Sequence, residues 1–227
     1  MIDLEINGFA VAEIALTANQ CDHIAASLPT VAAGHGGIRN LLTHPTVSQF
    51  LHHPAFGQYI WSLVGRDLVA VNATLFERTA QSSRRAEWHQ DRFVSVKERL
   101  SVRGYGEWTA KAGIVRVEAP AEVLAQMLAV RIHIDDRVDD GSLRAIAGSH
   151  LEGKLDAAQI AKMVATSEAE NLSAARGQIV LMRPLLVHSS PAVLPAQRRR
   201  VIHIELAPSE AISPLQWQIA MPLRRAA

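Results

Sequence analysis

The chain has 227 residues, 48% hydrophobic and 20% charged, with a formal net charge of +1. It is long enough to bury a sizeable core and too evenly charged for a disordered tail or a polyanion-binding surface, so nucleic acid is not expected as a partner. A single cysteine, Cys21, excludes an internal disulfide framework and leaves nitrogen and oxygen to hold any metal, with ten histidines as the nitrogen source.

The opening MIDLEINGFAVAEIAL lacks the basic start of an export signal, and no apolar run approaches about 18 residues. A cytoplasmic protein with no membrane partner is expected, built as one domain over residues 1–227. The first part, to about residue 66, reads as helical. Thr17 is placed to cap ANQCDHIAASL, and HPTVSQFLHHP with AFGQYIWSLVG carries apolar residues at helical spacing before Gly65. From residue 67 the pattern alternates, and DLVAVNATLFER predicts a strand that enters the polar loop TAQSSRRAE and then WHQDRF. Further strands are predicted at LAVRIHID (128–135), LRAIAG (143–148), GQIVLMRP (177–184) and RVIHIELA (200–207), with one helix at LDAAQIAKMVA (155–165). Helices followed by short strands imply an α+β, mainly β protein: a sandwich or small barrel over about 67–207, with helices on one outer face.

WHQDRF carries the first chemical signal. On a strand His89 and Asp91 point to one side, so they present an imidazole and a carboxylate to one point. The pair is common, and by itself it reads equally as the polar face of an ordinary strand. His188, where RPLLVHSSPA leaves an apolar run, offers a second imidazole. Two histidines and a carboxylate on one face form the triad that suits iron(II) and leaves open positions for substrate and oxygen. Eleven residues further on, Arg199 lies in the run Arg198, Arg199, Arg200. A guanidinium there can grip a carboxylate in bidentate fashion, or the three form a solvated edge.

His89-x-Asp91, then DDGSLRAIAGSH ending at Ser149-His150, then His188 with Ser190 two later and Arg199 eleven later, resembles the phytanoyl-CoA dioxygenase family of iron(II)- and 2-oxoglutarate-dependent oxygenases. The resemblance spans roughly residues 35–207. It implies a double-stranded β-helix, a cupin-like jelly roll. It also implies that His89, Asp91 and His188 bind iron, that Ser190 and Arg199 hold the distal carboxylate of 2-oxoglutarate, and that Arg39 is a further contact to that co-substrate. The Gly148-Ser149-His150 turn shapes the fold, and His150 is not a ligand. Asp140-Gly141 stands where the family usually has Asn-Gly, a change such a turn tolerates. The implied reaction consumes dioxygen, releases succinate and carbon dioxide, and hydroxylates an aliphatic C–H bond of a small polar metabolite or natural-product intermediate. Retaining Asp91 argues against halogenation, since halogenating relatives replace that carboxylate. A cupin-like metal-dependent isomerase or hydrolase, or a non-catalytic binding jelly roll, would have no need of the complete set.

Around this centre, residues 98–122 are longer than the fold requires and predict a mobile lid. Trp108 and Lys111 in that lid would close over the substrate, unless the tryptophan only anchors the segment. On LAVRIHID, Arg131 and His133 share the face opposite Val130, Ile132 and Ile134, so they are expected to look into the cavity. By the same parity His203 and Glu205 follow Arg199 inward.

Overall fold

Alternation of apolar residues on long strands produces one large sheet with two unlike faces, and the rest of the chain is arranged by those faces. The computed structural model describes residues 2–32, 35, 37–79, 86–111, 113–136, 143–190 and 198–225. The N-terminal elements are α1 (Ile2–Ile6), β1 (Phe9–Ala15), α2 (Ala18–Ser27), β2 (Gly37–Ile38), α3 (Pro45–Leu51) and α4 (Pro54–Val64). There follow β3 (Val69–Arg78), β4 (Ala86–His89), β5 (Phe93–Val96), β6 (Trp108–Lys111), β7 (Ile114–Glu118), α5 (Ala121–Leu124) and β8 (Leu128–His133). The last are β9 (Leu143–Ala145), α6 (Ala157–Thr166), β10 (Glu170–Leu172), β11 (Gln178–Met182), β12 (His188–Ser190), β13 (Arg199–Ala207) and β14 (Met221–Pro222).

The helices begin and end where local chemistry directs. Thr17 Oγ1 accepts from Gln20 N at 3.3 Å while Gln20 Oε1 accepts from Thr17 N at 2.8 Å, a capping box on α2. Asp156 and Gln159 do the same for α6. Prolines open α3 and α4, and Gly65 at φ 68° closes α4 in the left-handed conformation.

The large antiparallel sheet runs β1-β11-β8-β13-β3-β14, with β2 also on β3. Its outer face carries Leu75, Val130, Ile132, Ile134, Ile202 and Ile204, which pack against Ile24, Leu51, Phe56 and Ile60 of the helices. A second sheet, β10-β9-β12-β4, lies across from it, and the pair forms the double-stranded β-helix. A third sheet, β5-β7-β6, buries Val94, Val96 and Val117 against Leu124, Met127 and Trp217. Among the described residues no helix is long and apolar enough to cross a membrane.

Two sequence expectations are corrected. The first 66 residues are not purely helical, because Phe9–Ala15 pairs with β11 as an edge strand. The two-residue period of FAVAEIA sends Ala10, Ala12 and Ile14 to the helical side and Phe9 to the inner side. The strand at 143–148 stops at Ala145, because Gly148 at φ 74° turns the chain into a short 3-10 helix over Ser149–Glu152. The segment 98–122 expected as a lid carries regular structure, since Trp108–Lys111 and Ile114–Glu118 form a hairpin joined to β5. The DDGS turn with Asp140-Gly141, and residues 80–85 of the loop after β3, lie outside the described residues.

Candidate active site

The centre is built where the second sheet frays. His188 opens β12 and His89 closes β4, and the two are direct cross-strand partners, with ring centroids 4.3 Å apart. Asp91 follows just beyond β4, where its amide donates to Pro184 O at 2.9 Å. Gln90, between the two, faces the other way. Its Nε2 donates to Leu185 O at 2.7 Å and Gly153 O at 2.8 Å, and its Oε1 accepts from Leu155 N at 2.9 Å. That buried three-way tie holds the backbone so that both neighbours face the cavity. Ser149 does similar work for β12: its Oγ accepts from Val187 N at 2.8 Å. His150 instead bonds Glu5 O and stands apart from the site.

His89, Asp91 and His188 each offer a ligand atom within 4.8 Å of the others. His89 Nδ1 lies 2.6 Å from Glu87 O, and His188 Nδ1 lies 2.8 Å from Leu186 O. A carbonyl only accepts, so each Nδ1 carries the proton and each Nε2 presents its lone pair. Those Nε2 atoms stand 3.9 Å and 3.7 Å from the Asp91 carboxylate oxygens. Burial holds His188 down at about 4, so its imidazole is neutral at physiological pH. Burial would raise Asp91, but His188, His203, His89 and Arg131 outweigh it and bring the carboxyl to about 2. Two imidazole nitrogens and one carboxylate, all pre-aimed, fit a divalent metal of the iron(II) kind.

These groups line a cavity of about 100 Å³, whose wall includes Ser190, Arg199, Arg131 and His203 and, on β3, Phe76 and Arg78. Alternation sorts the arginine run. Arg198 turns out to Glu77 at 2.8 Å, and Arg200 pairs with Asp135 at 2.6 Å and donates to Ala25 O. Arg199 faces inward at 9% exposure and has no carboxylate partner among the described residues. Burial and the facing Arg78 push it down to about 10. Burial and Arg199 bring Arg131 to about 10 as well. Arg131 Nη1 donates to His203 Nδ1 at 3.1 Å, so a neutral His203 carries its proton on Nε2.

Not every predicted residue joins this cavity. His133 is buried and is brought to about 3 by burial and by Arg131 and Arg199, yet it does not line the wall. Trp108 packs on the apolar cluster under the third sheet with Arg99 over its ring at 5.4 Å, while Lys111 sits on the opposite face. Arg39 follows β2 and lies outside the wall that carries Ser190 and Arg199. Arg78 and Gln90 were missed. Arg78 was legible from the parity of Asn72, Thr74 and Phe76 on its strand, whereas Gln90 carried no signal beyond a polar residue facing the core. A larger groove of about 460 Å³ between β1 and the helices α2–α4 is mainly apolar and holds none of the candidate metal ligands.

Residues 4–201 match the family model described as phytanoyl-CoA dioxygenase (PhyH). No curated protein matches the chain. Among solved structures, a nickel complex of the non-heme monooxygenase ThoJ is 20% identical with a TM-score of 0.66, over 99% of this chain and 83% of its own. EctD from S. alaskensis, with 2-oxoglutarate and 5-hydroxyectoine, is 13% identical with a TM-score of 0.68, over 100% and 84%. SnoK, a non-heme alpha-ketoglutarate-dependent carbocyclase from nogalamycin biosynthesis, is 13% identical with a TM-score of 0.66, over 92% and 82%.

Proposed function

The chain belongs to the phytanoyl-CoA dioxygenase family of iron(II)- and 2-oxoglutarate-dependent oxygenases, and on that premise we propose that it hydroxylates an aliphatic C–H bond of a small polar metabolite or natural-product intermediate. Iron(II), 2-oxoglutarate and dioxygen are its reactants and cofactor, and succinate and carbon dioxide are released. The observation that carries the reading is the pairing of a pre-aimed His89, Asp91 and His188 set with an inward, carboxylate-free Arg199 in one cavity.

Each residue has a role that follows from its surroundings. His89 and His188 hold the metal through Nε2 and Asp91 through its carboxylate, with the tautomers set by Glu87 O and Leu186 O. Ser190 and Arg199 hold the distal carboxylate of 2-oxoglutarate, where a bidentate guanidinium pair suits the planar acid. Arg78 and Arg131 add positive potential, so a dianion relieves three arginines gathered in one small space. Iron, when bound, couples oxidative decarboxylation of the co-substrate to oxidation of the substrate carbon. Asp91 occupies the ligand position that a halide would need, which favours hydroxylation over halogen transfer.

The test is an anaerobic titration of the protein with iron(II) and 2-oxoglutarate, followed by a metabolite screen for stimulated succinate release under isotopically labelled dioxygen. A weak visible charge-transfer band and labelled alcohol are expected. Bound iron with no band on adding 2-oxoglutarate would remove the co-substrate from the reading, and a product without the label would remove hydroxylation.

A further inference from the structure

The third sheet has one face left over after its core face is accounted for. Val94, Val96 and Val117 point into the apolar cluster, so Ser95, Arg116, Thr109 and Lys111 occupy the other side. Arg116 is the register partner of both Ser95 and Thr109, and Lys111 is two residues beyond Thr109. Arg116 Nη2 donates to Phe93 O at 3.0 Å, and its guanidinium stands 5.6 Å from the Phe93 ring centroid. Phe93 in turn walls a small cavity with Asp91, His203 and Glu205. Glu205 lies six residues along β13 from Arg199, about 20 Å. Arg116 is thereby tied to the metal centre at the end remote from Arg199.

Arg39 reaches the same place from another element. Ile38 pairs with Leu75 and packs with the helical core, so the next residue turns to the inner face, near Thr74 and its partner His203. The charge of Arg39 is the foremost influence lowering Lys111, with Arg116 also contributing. Burial and Arg116 lower Arg39 in turn, while Glu205 and Asp91 support it. Three cations from three strand segments thus crowd one point. None forms an ion pair among the described residues, and the nearby Glu118 is already held by Arg92 at 3.2 Å and Lys154 at 3.3 Å. Arg116 Nε is buried with no hydrogen-bond partner, the state of a donor that awaits an acceptor.

We propose that Arg39, Lys111 and Arg116 bind an anionic group of the substrate, a carboxylate or a phosphate, and so hold the reacting carbon between that group and the metal centre. The inference rests on the reading of His89, Asp91 and His188 as the reaction centre, and it narrows the substrate to an organic acid or phosphate ester. The co-substrate is a poor explanation for the cluster, because none of the three cations lines the cavity that carries Ser190 and Arg199.

Calorimetric titration of inorganic phosphate and, separately, acetate into the full chain loaded with nickel(II) and saturating 2-oxoglutarate tests it, because Arg199 is then occupied. One of the two anions should bind, and which one binds assigns the group as phosphate or carboxylate. Lys111→Ala and Arg116→Gln should each weaken that binding at least about fivefold, and Arg198→Ala should leave it unchanged. Lys111 is exposed on β6, so its variant keeps the fold. The proposal is overturned if neither anion binds, if Lys111→Ala binds as tightly as wild type, or if Lys111→Ala loses 2-oxoglutarate affinity by the same factor. The phosphate and acetate titrations are repeated on metal-free protein. Anion binding that persists there and still depends on Lys111, in a chain that fails to take up iron and 2-oxoglutarate, sinks the oxygenase reading and leaves the anion site standing.

Discussion

Arg199→Met should make the ligand-free protein more stable while destroying its affinity for 2-oxoglutarate. Burial and Arg78 bring the guanidinium from 12.5 to about 10, which disfavours its charged form by roughly 3 kcal/mol. A base whose folded value is lowered penalises the folded state at every pH below that value, so the penalty is fully present at pH 7. Methionine keeps much of the stem without the charge. Each kcal/mol is worth about 2–4 °C in a chain of this size, so a rise of several degrees is expected after some loss of packing. The same change leaves the distal carboxylate of 2-oxoglutarate without its partner, at a cost of about 3–5 kcal/mol or an affinity loss of at least roughly a hundredfold. Thermal melting with nickel(II), with and without 2-oxoglutarate, reads both effects. Wild type should start lower and rise on adding the co-substrate by mass action, while the variant starts higher and does not move. Arg198→Met and Arg200→Met should retain the ligand shift, and Arg200→Met should melt lower because it cuts the tie to Asp135 and Ala25 O. A variant at 199 that melts below wild type and still responds to 2-oxoglutarate refutes the reasoning.

Alanine at His89, Asp91 or His188 should abolish the charge-transfer band of the iron and 2-oxoglutarate complex, and an unchanged band in any one of them removes that residue from the ligand set. Ser149→Ala should cost about 1–3 kcal/mol in urea unfolding, because the buried Val187 amide loses its acceptor; an unchanged midpoint would show that the turn does not hold β12. In chelator-treated protein, burial raises Glu205 to about 7 from 4.5. An acid raised on folding supports stability fully below its unfolded value and loses that support as pH climbs through about 7. Glu205→Gln keeps the acceptor for Asn72 and cannot ionise, so it should be more stable than wild type by about 2–3 kcal/mol at pH ~9 and equal to it below pH ~5. A pH-independent difference in urea unfolding would contradict this. Gly177→Ala drives a Cβ into Leu16 O at a φ of 82°, and a loss of about 2 kcal/mol or more is expected in thermal melting; a neutral result would mean the backbone there yields freely.

Features set by near neighbours were legible in the residues alone. The capping boxes at Thr17 and Asp156, the prolines opening α3 and α4, and the stop at Gly65 each depend on groups a few positions apart. The shared side of His89 and Asp91, and the separation of Arg199 from Arg198 and Arg200, follow from the two-residue period of a strand. The spacing from His89 to His188, Ser190 and Arg199 carried the family and with it the jelly roll.

Tertiary packing decided what periodicity leaves degenerate. Alternation divides a strand into two sets but does not say which set meets the core: Trp108 went to the apolar cluster and Lys111 to the cationic face because Val117 and Val115 across the hairpin set the register. The helical reading of the first third failed at Phe9–Ala15 because pairing with β11, 163 or more residues away along the chain, outweighs weak local propensity. Gln90 and Arg116 draw their roles from Leu185, Gly153, Phe93 and Arg39, partners remote in sequence. A polar side chain's chemistry is written in its own atoms, whereas its charge state and its task depend on which desolvated neighbours the fold brings within reach.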